Sequence, residues 1–140
     1  MVQDYWYVNK YTVKNSYPLP LISNLVDNIG TKKVFTKIDL RWGYNNIRIK
    51  KGNEWKAAFI THIGLYEPVV MFFGLTNLLA TFQTMMNNIF HDLINKGDVV
   101  TFIDNMLVGT ETKKGYNELV EKILRRLEIK NLYIKLEKCK

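Results

Sequence analysis

The chain has 140 residues with 47% hydrophobic and 24% charged side chains, which is ordinary for one globular domain and excludes a disordered, collagen-like or coiled-coil chain. No apolar run reaches the roughly 18 residues of a membrane-spanning helix, and the N-terminus lacks the basic and apolar regions of a signal peptide. Taken alone, the net charge of +7 favours a charge that serves solubility and has no binding partner. The more basic first half is also typical of a domain that binds nucleic acid.

Four elements are predicted in the first half. A helix follows the Pro18-Leu19-Pro20 break and ends at Gly30, because apolar residues recur on one face at Leu21, Ile22, Leu25, Val26 and Ile29. Residues 34–40 are rich in β-branched and aromatic side chains and predict a strand. Residues 46–50 and 55–61 flank a turn and predict a β-hairpin. Residues 65–73 predict a buried strand whose regular part follows Pro68.

The period changes in the second half. Apolar residues spaced by three or four predict a long helix that begins at Thr76 or Asn77 and ends at Gly97. Residues 99–103 and 106–108 predict a hairpin with Asp104-Asn105 at its tip. A second helical stripe consists of Tyr116, Leu119, Val120, Ile123, Leu124 and Leu127. Residues 132–136 predict a closing strand.

This mixture of strand pairs and crossing helices predicts an α+β fold, with a ferredoxin-like antiparallel sheet backed by helices. In such a sheet, the end of the strand at 34–40 and the tip of the hairpin at 99–108 can lie side by side at one sheet edge. Both positions carry an aspartate, Asp39 and Asp104.

A carboxylate in an apolar strand is costly unless it is paired or bound to a metal. If Asp39 and Asp104 converge, a divalent cation relieves their repulsion, and Mg²⁺ uses few carboxylates together with water and substrate phosphates. Two such ions can activate a hydroxyl and stabilise a leaving pyrophosphate. For each aspartate alone, a strand-end or turn residue is the plainer interpretation, and periodicity does not prove that the two meet.

A series of sequence blocks carries a family resemblance. In chain order, the main blocks are Tyr17-Pro18-Leu19-Pro20, Phe35-Thr36-Lys37-Ile38-Asp39-Leu40-Arg41-Trp42-Gly43-Tyr44, Glu54-Trp55-Lys56-Ala57-Ala58-Phe59, Phe73-Gly74-Leu75-Thr76-Asn77, Ala80-Thr81-Phe82-Gln83, Phe102-Ile103-Asp104-Asn105 and Leu136-Glu137-Lys138-Cys139. In this order and spacing they resemble, nearly end to end, the fingers–palm region of the reverse transcriptase (RNA-directed DNA polymerase) of gypsy-type long-terminal-repeat retrotransposons.

The resemblance implies a catalytic centre. Asp39 and Asp104 would hold two Mg²⁺ or Mn²⁺ ions, with the Leu40 carbonyl as a further ligand and Asn105 as the neighbouring catalytic position. The implied reaction is attack of a primer 3′-hydroxyl on the α-phosphate of a deoxynucleoside triphosphate, templated by RNA or DNA. Positioning and charge neutralisation would supply most of the catalysis.

The resemblance also implies substrate contacts. Backbone amides of Trp42 and Gly43 would contact the triphosphate, and Tyr44 would lie under the sugar and exclude a 2′-hydroxyl. An ordinary core tyrosine is the plainer alternative for Tyr44. Phe73 and Gly74 would pack near the incoming nucleotide and the template. The primer end would be lined by Phe102 and Ile103.

The chain also departs from the family pattern. The family has a second aspartate where this chain has Asn105, and the loss of that charge predicts weaker metal binding and slower turnover. The expected organisation is partial fingers at about residues 1–35 and 45–70 and a palm at about 36–44 and 71–140, without thumb, connection or RNase H regions. The sequence therefore predicts a fragment of a polymerase, decayed or relic in character.

Three functions remain open. The chain is a polymerase domain, a non-catalytic nucleic-acid-binding module that kept the fold, or a relic without activity. The expected partners are a primer with its RNA or DNA template and deoxynucleoside triphosphates, with no membrane and with self-association through the surface that a thumb would cover. The single cysteine, Cys139, excludes an internal disulfide and favours a reducing compartment. The resemblance implies an intracellular protein, either cytoplasmic in a virus-like particle or nuclear.

Overall fold

The architecture comes from a computed structural model that describes residues 4–140, apart from the side chain of Val26. The predictions for residues 1–3, at the start of the expected fingers, and for the Val26 side chain lie outside the described residues. The helices are α1 (Trp6–Tyr11), α2 (Ile22–Ile29), α3 (Leu78–Asn95) and α4 (Lys113–Ile129). The strands are β1 (Val34–Arg41), β2 (Phe59–Thr61), β3 (Gly64–Tyr66), β4 (Val99–Phe102), β5 (Asn105–Thr110) and β6 (Tyr133–Ile134).

Four strands form an antiparallel sheet in the order β4-β5-β1-β6, and β2 pairs with β3 in a separate hairpin. Along the chain, the large sheet and the two long helices follow the order β1-α3-β4-β5-α4-β6. This β-α-β-β-α-β connection places the first and third strands, β1 and β5, at the centre of the sheet. The predicted α+β class, with a ferredoxin-like antiparallel sheet backed by helices, is confirmed.

The core lies between one face of this sheet and the helices α3 and α4. Alternate residues of a strand point to opposite faces, and Phe35 and Lys37 are exposed on the face away from the helices. The buried core cluster consists of Ile38, Leu40, Phe82, Met86, Phe90, Leu93, Val99, Met106, Val108, Leu119, Ile123, Leu127 and Leu132. On both helices the buried residues recur every three or four positions, as the sequence periodicity predicts.

α3 agrees with its predicted bounds, and α4 contains the predicted stripe of apolar residues. α3 begins after Asn77, and Gly97 follows it in the left-handed region with φ +71°. Phe90 has non-helical angles (φ −112°, ψ 16°), so α3 is kinked there. Thr112 precedes α4, and its hydroxyl accepts a hydrogen bond from the Gly115 amide at 3.2 Å and caps the helix.

An ion pair joins the two helices. The Arg126 guanidinium donates to the Asp92 carboxylate at 2.7 Å and to the Ile89 carbonyl at 3.0 Å. The Lys122 ammonium donates to the same carboxylate at 3.2 Å. The hydrogen bond from Arg126 holds the pKa of Asp92 well below its usual range, and Lys122 contributes in the same direction.

The predicted hairpin of residues 46–50 and 55–61 is wrong. Residues Gly43–Asn46 and Glu54–Ala57 form short 3-10 turns instead. The apolar alternation after residue 46 has a different partner, because the Met71 amide donates to the Ile47 carbonyl at 2.7 Å and Arg48 forms an isolated antiparallel bridge to Val70. The hairpin that forms in this region is β2–β3.

Two predicted strands are also corrected. Residues 65–73 are not a buried strand: β3 ends before Pro68, and the Leu65 side chain is 64% exposed. The strand predicted at 132–136 is reduced to the two residues of β6, since Leu136–Lys138 form a 3-10 turn.

The N-terminal helices differ from the prediction in opposite ways. α2 is present as predicted, but within its described side chains only Ile29 is buried, and Ile22 is 63% exposed. α1 was not predicted, and its aromatic residues Trp6, Tyr7 and Tyr11 are exposed. A helix without a buried stripe gives no periodic signal.

Among residues 4–140, no helix combines the length and apolar character needed to cross a membrane.

Candidate active site

The two aspartates lie side by side where the central strand β1 ends and the central strand β5 begins. β1 and β5 pair antiparallel, with Asp39 directly opposite Asn105. Beyond that pair, the Leu40 amide donates to the Asp104 carbonyl at 2.9 Å. The strand end and the hairpin therefore lie side by side, as expected from the sequence. They do so at the end of the two central strands rather than at an outer edge of the sheet.

The hairpin tip is shifted by one residue from the prediction. Phe102 pairs with Asn105, so the two-residue turn is Ile103-Asp104 and Asn105 already belongs to β5. Ile103 has φ +55°, a left-handed conformation that is strained for a β-branched residue. A positive φ at the first central residue is the mark of a type II′ hairpin turn. No local pattern predicts this turn, because glycine is the usual residue at its first central position.

Gln83 on α3 holds this strained turn. Its Oε1 accepts from the Ile103 amide at 2.7 Å, and its Nε2 donates to the carbonyl and hydroxyl of Thr101 at 3.0 and 3.1 Å. The Gln83 side chain is fully buried. Asn87 extends the network, since its Oδ1 accepts from Gln83 at 2.9 Å and its Nδ2 donates to the Tyr17 hydroxyl at 2.6 Å. Sequence reasoning did not single out Gln83, although an amide inside an apolar helix stripe was the available signal.

Asn105 is tied to the aspartate beside it. Its Nδ2 donates to Asp104 Oδ1 at 3.1 Å, whereas its Oδ1 is buried without a hydrogen-bond partner. A buried acceptor without a partner is costly, so it favours a bound group that can engage it.

The turn after β1 is also constrained. Trp42 has φ +55°, its side chain is 70% exposed, and its carbonyl accepts from Asn46 Nδ2 at 3.2 Å. Gly43 is buried, and a Cβ at this position would lie 2.8 Å from the Phe82 ring and 3.6 Å from the Asp104 Cβ. Only glycine allows the backbone to approach α3 and the Asp104 turn this closely.

Tyr44 connects this turn to the loop before α3. Its ring contacts the edge of Phe73 with centroids 4.8 Å apart, and that of Phe82 at 5.4 Å. Burial raises the pKa of the Tyr44 hydroxyl, and the negative charge of Asp104 raises it further. The aromatic side chain therefore lies partly in the core and partly within the electrostatic reach of Asp104.

An open cavity of about 860 Å³ lies over the two aspartates. Most of the site residues expected from the sequence line it, namely Asp39, Leu40, Trp42, Gly43, Tyr44, Phe73 and Asp104. Four others are not in its wall, namely Gly74, Phe102, Ile103 and Asn105. Phe102 and Asn105 line a smaller cavity of about 230 Å³ with Lys37.

The chain end supplies a wall of the large cavity that sequence reasoning missed. The Lys135 amide donates to the Asp39 carbonyl at 2.8 Å, which places residues 134–138 beside the aspartate. Arg41, Lys135 and Lys138 bring positive charge to the lining. Lys135 is paired with Glu137 at 3.3 Å. The lining thus combines three carboxylates, those of Asp39, Asp104 and Glu137, with three basic side chains.

The donor set fits a hard divalent cation that has substrate ligands. Across residues 4–140 there is no group of three or more histidine, cysteine, aspartate or glutamate side chains that could hold a metal alone. Mg²⁺ is commonly held by one or two carboxylates, with water and substrate phosphates completing its shell. Asp39 and Asp104, which both line the cavity, meet that requirement.

Comparison with known proteins gives the family. Residues 1–140 match the family described as reverse transcriptase (RNA-dependent DNA polymerase). The chain belongs to the reverse transcriptase family. The description of this family is that of RNA-dependent DNA polymerases, and the relatives of the chain include retrotransposon polyproteins.

Two relatives illustrate how a reverse transcriptase domain of this size occurs. The Transposon Tf2-7 polyprotein of Schizosaccharomyces pombe is 38% identical over 139 residues, covering 99% of this chain and 10% of the polyprotein. An RNA-directed DNA polymerase homolog of Oenothera berteroana is 38% identical over 133 residues, covering 95% of this chain and 93% of the homolog. The chain thus spans about a tenth of the first relative and nearly all of the second.

Solved structures share the fold. The foamy viral protease–reverse transcriptase in complex with an RNA/DNA hybrid has a TM-score of 0.86 at 23% identity, covering 99% of this chain and 18% of that chain. The same protein in complex with double-stranded DNA has a TM-score of 0.87 at 22% identity, covering 99% and 29%. These likenesses support the α+β architecture described above.

Proposed function

We propose that this domain catalyses template-directed addition of deoxynucleotides to a primer 3′-hydroxyl, and that it derives from a gypsy-type long-terminal-repeat retrotransposon. One observation carries the proposal: Asp39 and Asp104, far apart in sequence, lie side by side at the end of two central strands and line an open cavity. Both belong to sequence blocks that resemble this type of element. The proposed division is partial fingers at about 1–35 and 45–70 and a palm at about 36–44 and 71–140.

The proposed metal ligands are Asp39, Asp104 and the Leu40 carbonyl. Mg²⁺ or Mn²⁺, two ions in the active form, would lower the pKa of the attacking hydroxyl and neutralise charge on the phosphates. Asp39 is buried and Asp104 is half-buried in the fixed turn, so their carboxylates are pre-positioned by the fold. Preorganised charge of this kind is an effective source of catalysis.

The remaining proposed roles concern the nucleotide. Backbone amides at Trp42 and Gly43 would contact the triphosphate, and the Tyr44 ring, wedged between Phe73 and Phe82, would meet the sugar and exclude a 2′-hydroxyl. Gly74 would lie near the template. Phe102 and Ile103 would contact the primer end, on the turn beside Asp104.

The proposed macromolecular partner is a primer with its RNA or DNA template. The net charge of +7 supports a polyanionic partner, and proteins of the same fold are known in complex with an RNA/DNA hybrid and with double-stranded DNA. An intracellular location, in the cytoplasm or nucleus, is part of the same proposal. We also propose self-association through exposed apolar side chains near the chain end, namely Ile129, Tyr133 and Leu136.

Asn105 favours a second candidate, a nucleic-acid-binding module without catalysis. A neutral amide stands directly opposite Asp39, so position 105 adds no third carboxylate to those of Asp39 and Asp104. Such a module would bind a primer–template, with affinity that falls steeply as salt rises, and would leave the primer unextended.

Primer extension tests the two candidates together. The wild-type chain and the Asn105→Asp, Asp39→Asn and Asp104→Asn variants are incubated with a labelled primer–template, deoxynucleotides and Mn²⁺ or Mg²⁺. The polymerase proposal expects extension that Asn105→Asp increases and that either aspartate variant abolishes. Tight, salt-sensitive binding without extension by any variant would favour the binding module. Absence of both binding and extension would contradict both candidates.

A further inference from the structure

Two asparagine side chains link the N-terminal segment to the loop before α3. Asn9 Nδ2 donates to the Gly74 carbonyl at 2.7 Å, and Asn9 Oδ1 accepts from the Thr76 amide at 2.9 Å. Asn77 makes the reverse connection, since its Nδ2 donates to the Val13 carbonyl at 2.8 Å and its Oδ1 accepts from the Asn15 amide at 2.9 Å. We call this pair of side chains, Asn9 and Asn77, the asparagine clamp.

Each amide in the clamp uses its donor and its acceptor at once. Asn9 spans residues 74–76, and Asn77 spans residues 13–15. An aspartate would lose the donor, and an alanine would lose both groups. The four hydrogen bonds are exposed, so each contributes little to global stability. Their effect is local: they fix the orientation of two short irregular segments relative to each other.

The segment fixed by Asn9 adjoins the cavity. Gly74 has φ +107°, a backbone conformation that favours glycine. Its carbonyl accepts the hydrogen bond from Asn9. The residue before it, Phe73, is 72% exposed and contacts the Tyr44 ring edge-on. Phe73 and Tyr44 both line the cavity over Asp39 and Asp104. A rotation at Gly74 therefore moves the aromatic wall of that cavity.

We propose that Asn9 and Asn77 are positioning residues for this aromatic wall: they hold Phe73 against Tyr44 and so set the fit of the nucleotide sugar. The part that concerns the nucleotide rests on the proposed function. The clamp contacts no reacting atom and acts through Gly74 and Phe73. Its loss loosens one wall of the cavity and leaves the carboxylates in place.

Other contacts keep the N-terminal segment attached when the clamp is removed. The Tyr5 hydroxyl donates to the Ala57 carbonyl at 3.0 Å, and the Tyr5 ring lies 5.0 Å from that of Phe72. At the other end, the Tyr17 hydroxyl accepts from Asn87. Replacing Asn9 therefore gives a folded chain, in which the local change can be measured.

The test compares Asn9→Ala, Asn9→Asp and Asn77→Ala with Asn117→Ala, a control at an exposed position of α4. NMR measures the nuclear Overhauser contact between the Phe73 and Tyr44 rings and the exchange rate of the Thr76 amide. Calorimetry measures the affinities for dTTP and for its ribose counterpart in the presence of Mn²⁺. Calorimetry on the wild-type chain tests the proposed function. The NMR comparison tests the asparagine clamp whether or not the chain binds a nucleotide.

The clamp proposal expects Asn9→Ala to lose the ring contact and to speed Thr76 exchange about tenfold or more. If the wild type binds dTTP, Asn9→Ala should also reduce the preference for the deoxy sugar by about tenfold, because small displacements at a site have large effects. Asn9→Asp should keep the Thr76 protection and lose part of the preference. Retention of the ring contact in both alanine variants would overturn the clamp. If the wild-type chain binds no nucleotide but Asn9→Ala shows the expected NMR changes, the proposed function alone is overturned.

Discussion

Asp39 lies directly opposite Asn105 across the two central strands, so the position next to Asp104 faces a carboxylate while carrying a neutral amide. The amide donates to Asp104 and leaves its own oxygen buried and without a partner. The pair therefore keeps the geometry of an acidic centre with one negative charge fewer. Compared with an aspartate, Asn105 removes a negative charge and keeps the shape of the side chain.

The first prediction concerns that charge. Asn105→Asp places like charges directly opposite each other, which should lower the stability of the metal-free protein by roughly 0.2–1 kcal/mol. A third carboxylate should also strengthen cation binding, and a ligand that binds only the folded state stabilises it. Thermal unfolding with EDTA and with Mn²⁺ should show a larger Mn²⁺-induced rise in Tm for the variant than for the wild type. Asn105→Ala is the control and should show no such gain; equal shifts in all three proteins would contradict the account.

A second prediction follows from the left-handed conformation of Ile103. Glycine adopts this conformation freely, whereas an L-residue pays about 1–2 kcal/mol there. Both Ile103→Gly and Ile103→Ala lose the isoleucine packing, but only the glycine variant loses the strain. Urea unfolding should therefore find Ile103→Gly more stable than Ile103→Ala, by about 1 kcal/mol.

Val100, buried on the neighbouring strand β4, provides the matched control. In a strand interior, glycine is normally less stable than alanine by roughly 0.5–1 kcal/mol. Val100→Gly should therefore be less stable than Val100→Ala, which is the reverse of the order expected at Ile103. If glycine is less stable than alanine at both positions, the turn at Ile103 is not strained.

The third prediction concerns Gln83. Gln83→Met keeps the length of the side chain but leaves the Ile103 amide and the Thr101 carbonyl without their partner. Each buried group left unsatisfied costs roughly 1–3 kcal/mol, so urea unfolding should show a loss of at least about 2 kcal/mol. Asn88→Met, on the exposed face of the same helix, should stay within about 0.5 kcal/mol of the wild type. A loss as small as that at Gln83 would mean that the network does not hold the turn.

The fourth prediction is a pH dependence. The hydrogen bond from Arg126 lowers the pKa of Asp92 in the folded state, so the ion pair stabilises the fold above the ordinary aspartate pKa of about 3.9. That stabilisation is lost as the pH falls further and the folded carboxylate takes up a proton. The Asp92→Asn variant should have a lower Tm than the wild type at pH 7, by at most about 4 °C because the pair is half-exposed. The gap should shrink steadily below pH 4, and a gap of equal size at pH 3 and pH 7 would contradict the assignment.

The sequence indicated the parts of the fold that bury a periodic face. β1, α3, α4 and the β4–β5 hairpin each carry such a pattern, and each was confirmed in type, with the hairpin turn displaced by one residue. The failures have a common cause. Residues 46–50 pair with 69–71 across a long loop, and α1 exposes its aromatic side chains, so neither feature leaves a local signal.

In the candidate site, too, the residues with a local sequence signal could be predicted, and those that depend on distant contacts could not. Asp39 and Asp104 could be named from strand ends and family resemblance, because each sits in a distinctive local block. Gln83 also lies in such a block, but its role and that of Asn9 could not be named, since they depend on hydrogen bonds to residues 18 to 67 positions away. An amide among apolar helix residues was a usable hint for Gln83. The basic wall formed by residues 134–138 depends on the pairing of β6 with β1, which no local pattern specifies.

Asp39 and Asp104 are proposed to form a divalent-cation site for nucleotidyl transfer. The most direct measurement is a crystal structure of the wild-type chain and of the Asp39→Asn, Asp104→Asn double variant, each grown with Mn²⁺ and a non-hydrolysable deoxynucleotide analogue. We expect an anomalous Mn²⁺ peak between the two carboxylates of the wild type, with the analogue's phosphates beside it, and no peak in the double variant. A wild-type cavity without Mn²⁺, or an equal peak in both proteins, would contradict it.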